Sequence, residues 1–139
     1  ATDMHVTITP KFKSSQILIT LGGDANNNGT GFIMYMTYYR QILGQNKDPE
    51  NLATNGRNDS NSAGQNRGLC MVYGANSRIH VPVAMPFLDS PNTTSPVTYR
   101  IYIRSESGTV EFPANDGYQR SRMFCYEIAG NQPSVVVGS

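Results

Sequence analysis

Few residues in this chain are of a type and spacing that could do chemistry. Asp24-Ala25-Asn26-Asn27-Asn28-Gly29 repeats the first half of a calcium loop, D-x-[DN]-x-[DN]-G, which turns side-chain oxygens at positions 1, 3 and 5 toward one ion. Such a loop also needs a bidentate carboxylate at position 12. Here that position is Tyr35, and Asp24 is the only carboxylate of the set. The stretch is therefore expected to be a polar hairpin loop in which Asn and Gly supply positive φ. His5 and His80 are the only histidines, and neither has the companions of a zinc site. No nucleophile elbow, phosphate loop or dinucleotide fingerprint occurs. Asp89, Asp116, Glu111 and Glu127 are available for the carboxylate pair of a glycosidase, but any chain of 139 residues holds four acids. Glu127, flanked by Tyr126 and Ile128, is expected to form an ion pair with an arginine. The expectation is a protein without a catalytic centre, a metal or a cofactor.

The stronger candidates are for binding. Residues 43–68 form a long polar stretch in which Arg57, Asn58, Asp59, Asn61 and Arg67 offer short, adaptable hydrogen-bonding groups. Connections of that length are usually functional or disordered, and these side chains suit sugar hydroxyls or peptide backbones. Arg100, Tyr102 and Arg104 alternate along one strand and could share a region with Arg120 and Arg122, with Tyr102 as a ring to stack on. Yet Lys plus Arg number 11 and Asp plus Glu 10, so a net charge of +1 offers phosphates no general attraction. Nucleic acid is not expected as a partner. Sequons at Asn28, Asn58 and Asn92 are what chance gives in an Asn-rich chain.

These residues must be positioned by strands. At 139 residues the chain has the length of one domain, 1–139, and 38% hydrophobic residues with 8 Tyr and 5 Phe argue for a packed core. No run is long and apolar enough to cross a membrane as a helix. No signal-peptide pattern opens the chain, and Ala1 in first place leads one to expect a processed chain or a piece of a longer one. The dominant period is two. Val97, Tyr99, Ile101 and Ile103 share one face and Thr98, Arg100, Tyr102 and Arg104 the other, a half-buried antiparallel strand with a wet side. Further strands are expected over residues 5–9, 16–21, 31–42, 69–73, 78–87, 109–112 and 122–128. Pro82 and Pro86 make the fifth of these an edge or irregular strand. Residues 48–54 read as one helical turn, with Asp48 as N-cap and Pro49 at N1. The whole is an all-β, antiparallel, jelly-roll-like β-sandwich of about eight strands. In the 31–42 strand both parities are apolar. Phe32, Met34, Met36 and Tyr38 can face a second sheet, which leaves Ile33, Tyr35 and Tyr39 to be covered by the long loop or by another subunit. Cys70 and Cys125 are expected to be buried thiols, with one cross-sheet disulfide as the alternative.

The most distinctive segment is Phe87-Leu88-Asp89-Ser90-Pro91-Asn92-Thr93-Thr94-Ser95-Pro96-Val97-Thr98-Tyr99. With it go Ile8-Thr9-Pro10 followed by Ser14-Ser15-Gln16-Ile17-Leu18-Ile19, then Ser107-Gly108-Thr109-Val110, then Glu127-Ile128-Ala129-Gly130. In this order the pieces resemble a small β-sandwich domain near the ends of tail-fibre and virion structural proteins of tailed bacteriophages, particularly cyanophages and marine phages. That pattern often has an Arg-Asn-Gly-Thr turn after the central strand, whereas here Arg40 continues as Gln41-Ile42-Leu43-Gly44. Related chains also have more sequence before the Ile-Thr-Pro piece, so a first strand is expected to be missing or supplied by a neighbour. The resemblance implies a virion protein, assembled in the host cytoplasm, that acts as a distal fibre or tail domain. It would attach to a glycan or protein of the host surface and be displayed as a homotrimer beside other virion proteins. A capsid or tail decoration, knob or cement protein is the alternative. Asp89, Ser90, Asn92 and Thr93 are read as Asx- and ST-type turn formers that hold the connection around Pro91.

Overall fold

A computed structural model describes residues 4–53, 68–74, 80–112 and 121–130. Among them are ten strands: β1 His5–Ile8, β2 Gln16–Asn27, β3 Ile33–Ile42, β4 Glu50–Asn51, β5 Cys70–Tyr73, β6 His80–Ala84, β7 Phe87–Asp89, β8 Val97–Ser105, β9 Val110–Glu111 and β10 Arg122–Ile128. They form two antiparallel sheets. The first runs β1-β8-β3, with β4 and β5 both on the far edge of β3. The second is built on β2, with β10 and β9 along one edge and β7 and β6 along the other. The chain passes between sheets at most of its connections, as a jelly-roll-like sandwich requires. The all-β sandwich is the expected one, with two more strands than the sequence suggests.

Alternation decides which side chains fill the space between the sheets. Ile17, Ile19, Leu21 and Ala25 of β2 meet Met34, Met36 and Tyr38 of β3 and Val97, Tyr99 and Ile101 of β8, all buried. Two tyrosines cross the gap. Tyr38 donates its hydroxyl to the Met85 carbonyl at 2.7 Å, and Tyr99 donates to Asp89 Oδ2 at 2.8 Å. Burial pushes both phenols well above their usual pKa. Cys70 and Cys125 are unbonded, half-buried thiols against this core. Burial raises both, Cys125 to about 12, so neither is a nucleophile at neutral pH.

Several local expectations give way to tertiary pairing. Asp24-Ala25-Asn26-Asn27 is not a hairpin loop but the last third of β2, paired with Val81 and Pro82 of β6 and with β9. Ala25 is fully buried, so the inward alternation begun at Ile17 simply continues. The turn comes at 28–31, and buried Asn27 organises it by donating to the Phe32 carbonyl at 3.0 Å and accepting from the Gly29 amide at 3.1 Å. The described part of the expected 48–54 turn, residues 48–53, is not helical: Glu50 and Asn51 form β4 opposite Arg40 and Tyr39, and residue 54 lies outside the described residues. The 43–68 stretch is thus not one loop. The expected 78–87 strand breaks at Met85–Pro86 into β6 and β7; Pro82 sits within β6, which among the described strands pairs with β2 alone, as an edge position allows.

Three of the four segments that carry the phage resemblance meet at the start of β2, while residues 107–110 lie at its other end. Gln16 pairs with Ile128 and Ile17 with both Glu127 and Asp89. Gly130 lies so close to the Ser14 backbone that a Cβ would collide with the Ser14 carbonyl. Gly130→Ala should therefore destabilise by ~1–3 kcal/mol. Gly22→Ala in mid-strand, where nothing lies within 4 Å, should stabilise by ~0.4–1 kcal/mol. Urea denaturation of the two variants checks the contrast. Among the described residues Glu127 makes no ion pair with an arginine; its Oε1 accepts the Lys11 amide at 2.6 Å and the Phe12 amide at 3.4 Å. The Ser15 hydroxyl and these two amides hold its carboxyl below the usual glutamate range. A depressed folded pKa means the stabilisation is present above the unfolded value of 4.5 and lost as pH falls through the folded one. The melting temperature of Glu127→Gln should accordingly depend less on pH below about 5 than that of the natural chain.

Candidate functional site

Two polar clusters stand out from this scaffold. The first lies between the sheets. Asp89 of β7 is buried and takes Arg40 Nη1 at 2.7 Å on Oδ1 and the Tyr99 hydroxyl on Oδ2. Arg40 Nη2 reaches Glu50 of β4 at 2.5 Å. Both Asp89 oxygens are therefore engaged by the chain itself, which makes the cluster a clamp between β7, β3 and β8. Asp89 is not an Asx-turn former, as the local sequence suggested. That work falls to Asn92, at φ 52 with its amide on the Ser90 carbonyl at 3.2 Å, and to Thr93, whose hydroxyl accepts the Ser95 amide at 3.0 Å. Beside the clamp is a recess of about 390 Å³ that Ile42, Gln45, Lys47 and Asp48 help to line.

The second cluster is the outer face of the first sheet. The register sets Tyr39 beside Arg100 and Arg100 beside His5, Thr37 beside Tyr102, and Tyr35 beside Arg104. The rings of Tyr39 and Tyr102 lie 4.1 Å apart at 38°. Thr7 and Thr98 share a hydroxyl hydrogen bond of 2.8 Å at one end of the face. At the other end the Tyr35 hydroxyl donates to Glu106 Oε1 at 2.7 Å, while Glu106 Oε2 accepts the Ile33 amide at 3.0 Å. Met71 and Tyr73, which β5 places beside Tyr35 and Ile33, are exposed. Rings, hydroxyls and guanidinium groups held on one sheet face can stack on a sugar or base and hydrogen-bond its edge.

The sequence-derived candidates divide accordingly. Ile33, Tyr35 and Tyr39 lie on this outer face, as their parity required. Tyr35 is buried, though, and Ile33 and Tyr39 are half-buried. Their neighbours include Glu106 and Tyr102 of the same chain. Arg100, Tyr102 and Arg104 join them there, a union that no single segment reveals. Arg57, Asn58, Asp59, Asn61, Arg67, Asp116 and Arg120 lie outside the described residues. The described ends of the 54–67 stretch are fixed to β3: Leu52 donates to the Tyr38 carbonyl at 2.9 Å, and Gly68 packs against the backbone of Met36. Sequence reasoning missed Met71 and Tyr73. Their alternation with Cys70 and Val72 was the signal. No protein-family model, curated protein or solved structure matches the chain.

Proposed function

We propose that this chain is a non-catalytic attachment domain of a bacteriophage virion, a distal fibre or tail domain that holds a host-surface carbohydrate on the outer face of its first sheet. The observation that carries the attachment reading is the Tyr39–Tyr102 ring pair flanked by Arg100 and Arg104 and bordered by the paired hydroxyls of Thr7 and Thr98. Its chemistry suits a ring with apolar faces and a hydroxyl or carboxylate rim. The virion setting rests on the sequence resemblance of the four segments. Three of these, around Ser14, Asp89 and Glu127, adjoin one another near the start of β2. Near-neutral charge fits recognition by hydrogen bonds and stacking, each contact weak, with display in several copies raising the effective concentration. The test is binding of fluorescent chain to host cells and its competition by the cells' purified surface polysaccharide. Binding that the polysaccharide does not displace, or none at all, would sink the reading.

A further inference from the structure

We propose that the outer face of the second sheet, centred on β10, packs against the same face of a second copy of this chain across a two-fold axis. This goes beyond the attachment reading, which uses the opposite sheet. β10 alternates Met123, Cys125 and Glu127 toward the interior with Phe124, Tyr126 and Ile128 outward. The register sets Tyr126 beside Leu18 and Leu18 beside Leu88, so the apolar side chains continue across three strands. Phe124, Tyr126, Ile128 and Leu88 are 47%, 55%, 45% and 46% exposed, and the two rings lie 6.4 Å apart. At roughly 200 Å² per side chain this is about 400 Å² of contiguous apolar surface, the size of the largest patch on a typical soluble protein, and such patches are often functional.

The chemistry of the patch selects its occupant. Among the described residues the ionisable side chains on this face are Arg122, Asp24, His80 and Glu111, all toward the end of β2 away from Tyr126 and Ile128. A glycan or nucleic acid would find one guanidinium, Arg122, at the border of the rings, where the first sheet sets two about Tyr102. What fits is a protein surface equally flat and apolar, and a second copy supplies one. A two-fold axis lays row on row. A net charge of +1 adds almost no repulsion between copies. With the exposed Pro82, Ala84 and Pro86 alongside, two such faces bury about 1,000–1,400 Å² in total, which reaches the lower range of specific interfaces. The packing is the sheet-on-sheet contact that already forms the core of each chain.

Sedimentation equilibrium of the full chain at tens of micromolar tests this. The expected result is twice the mass of one chain, with self-association weakened at least ~100-fold by Tyr126→Lys, because every pair would bury two unpaired ammonium groups. Leu88→Lys, on a different strand of the same face, should do the same if Tyr126→Lys perturbs folding. Tyr102→Lys on the opposite sheet should leave the pair intact while losing cell binding, so failure of either reading is recognised separately. A one-chain mass, a three-chain mass, or a pair that persists in both lysine variants overturns the proposal.

Discussion

Replacing Asp89 with alanine is expected to lower the unfolding free energy by ~3–5 kcal/mol, as loss of one partner of a buried ion pair does, and the melting temperature by roughly 10–20 °C. The size follows from what is left behind. Arg40, with 15% of its side chain exposed, keeps only Glu50, itself 56% exposed and screened by water. Tyr99, fully buried, loses its hydroxyl acceptor. Tyr99→Phe removes one hydrogen bond and should cost ~1–3 kcal/mol, whereas Glu50→Gln should cost less than about 1. Combining Asp89→Leu with Arg40→Met removes both charges. It should cost clearly less than the sum of the single changes, the mark of a coupled pair. Urea denaturation of these four variants and of the single changes Asp89→Leu and Arg40→Met measures all of this. An Asp89→Ala chain within about 1 kcal/mol of the natural one would show that the clamp is ornamental. The clamp ties β7 to the first sheet at the end where the resemblance segments gather, so it also accounts for the Phe87-Leu88-Asp89 piece as a fold-building element.

The period-two pattern carried the strands and the faces of β8 because those depend on which side of a pleat meets a core, which local sequence encodes. What it did not carry depends on partners far away. Asp89 reads locally as a turn residue; only the approach of Arg40, 49 positions away, makes it a buried bridge. Asp24 to Asn27 read as a loop because Asp and Asn favour turns. The pairing of β2 with β6 and β9 and the burial of Ala25 override that preference. β4, two residues long, has no period to detect. The same holds for the candidate sites. Each strand of the proposed attachment face was legible, yet the union of Tyr39 with Arg100 and Tyr102 is a matter of register. In β10 both parities are apolar, the signal already read in β3 as a face in need of cover.

The second large effect is expected at that register-built face. Tyr102 is 41% exposed, and its ring rests on Tyr39 and not in the core, so Tyr102→Ala should change the unfolding free energy by no more than about 1 kcal/mol. If a sugar ring stacks there, the same change should remove about 1.4 kcal/mol of contact, a tenfold loss per site. Copies that engage together multiply this loss: two simultaneous contacts turn tenfold into about a hundredfold in cell adsorption. Arg100→Met, which keeps the apolar stem and removes the guanidinium, should lose the hydrogen bonds to the rim while retaining the stack, and so weaken binding less than Tyr102→Ala. Isothermal titration of the chain with oligosaccharides from the host surface reads the per-site value, and adsorption of labelled chain to cells reads the multiplied one. The two must scale together. An adsorption defect in Tyr102→Ala without a change in oligosaccharide affinity would place the receptor contact elsewhere on the molecule. An unchanged adsorption would remove the first sheet's outer face from the function altogether.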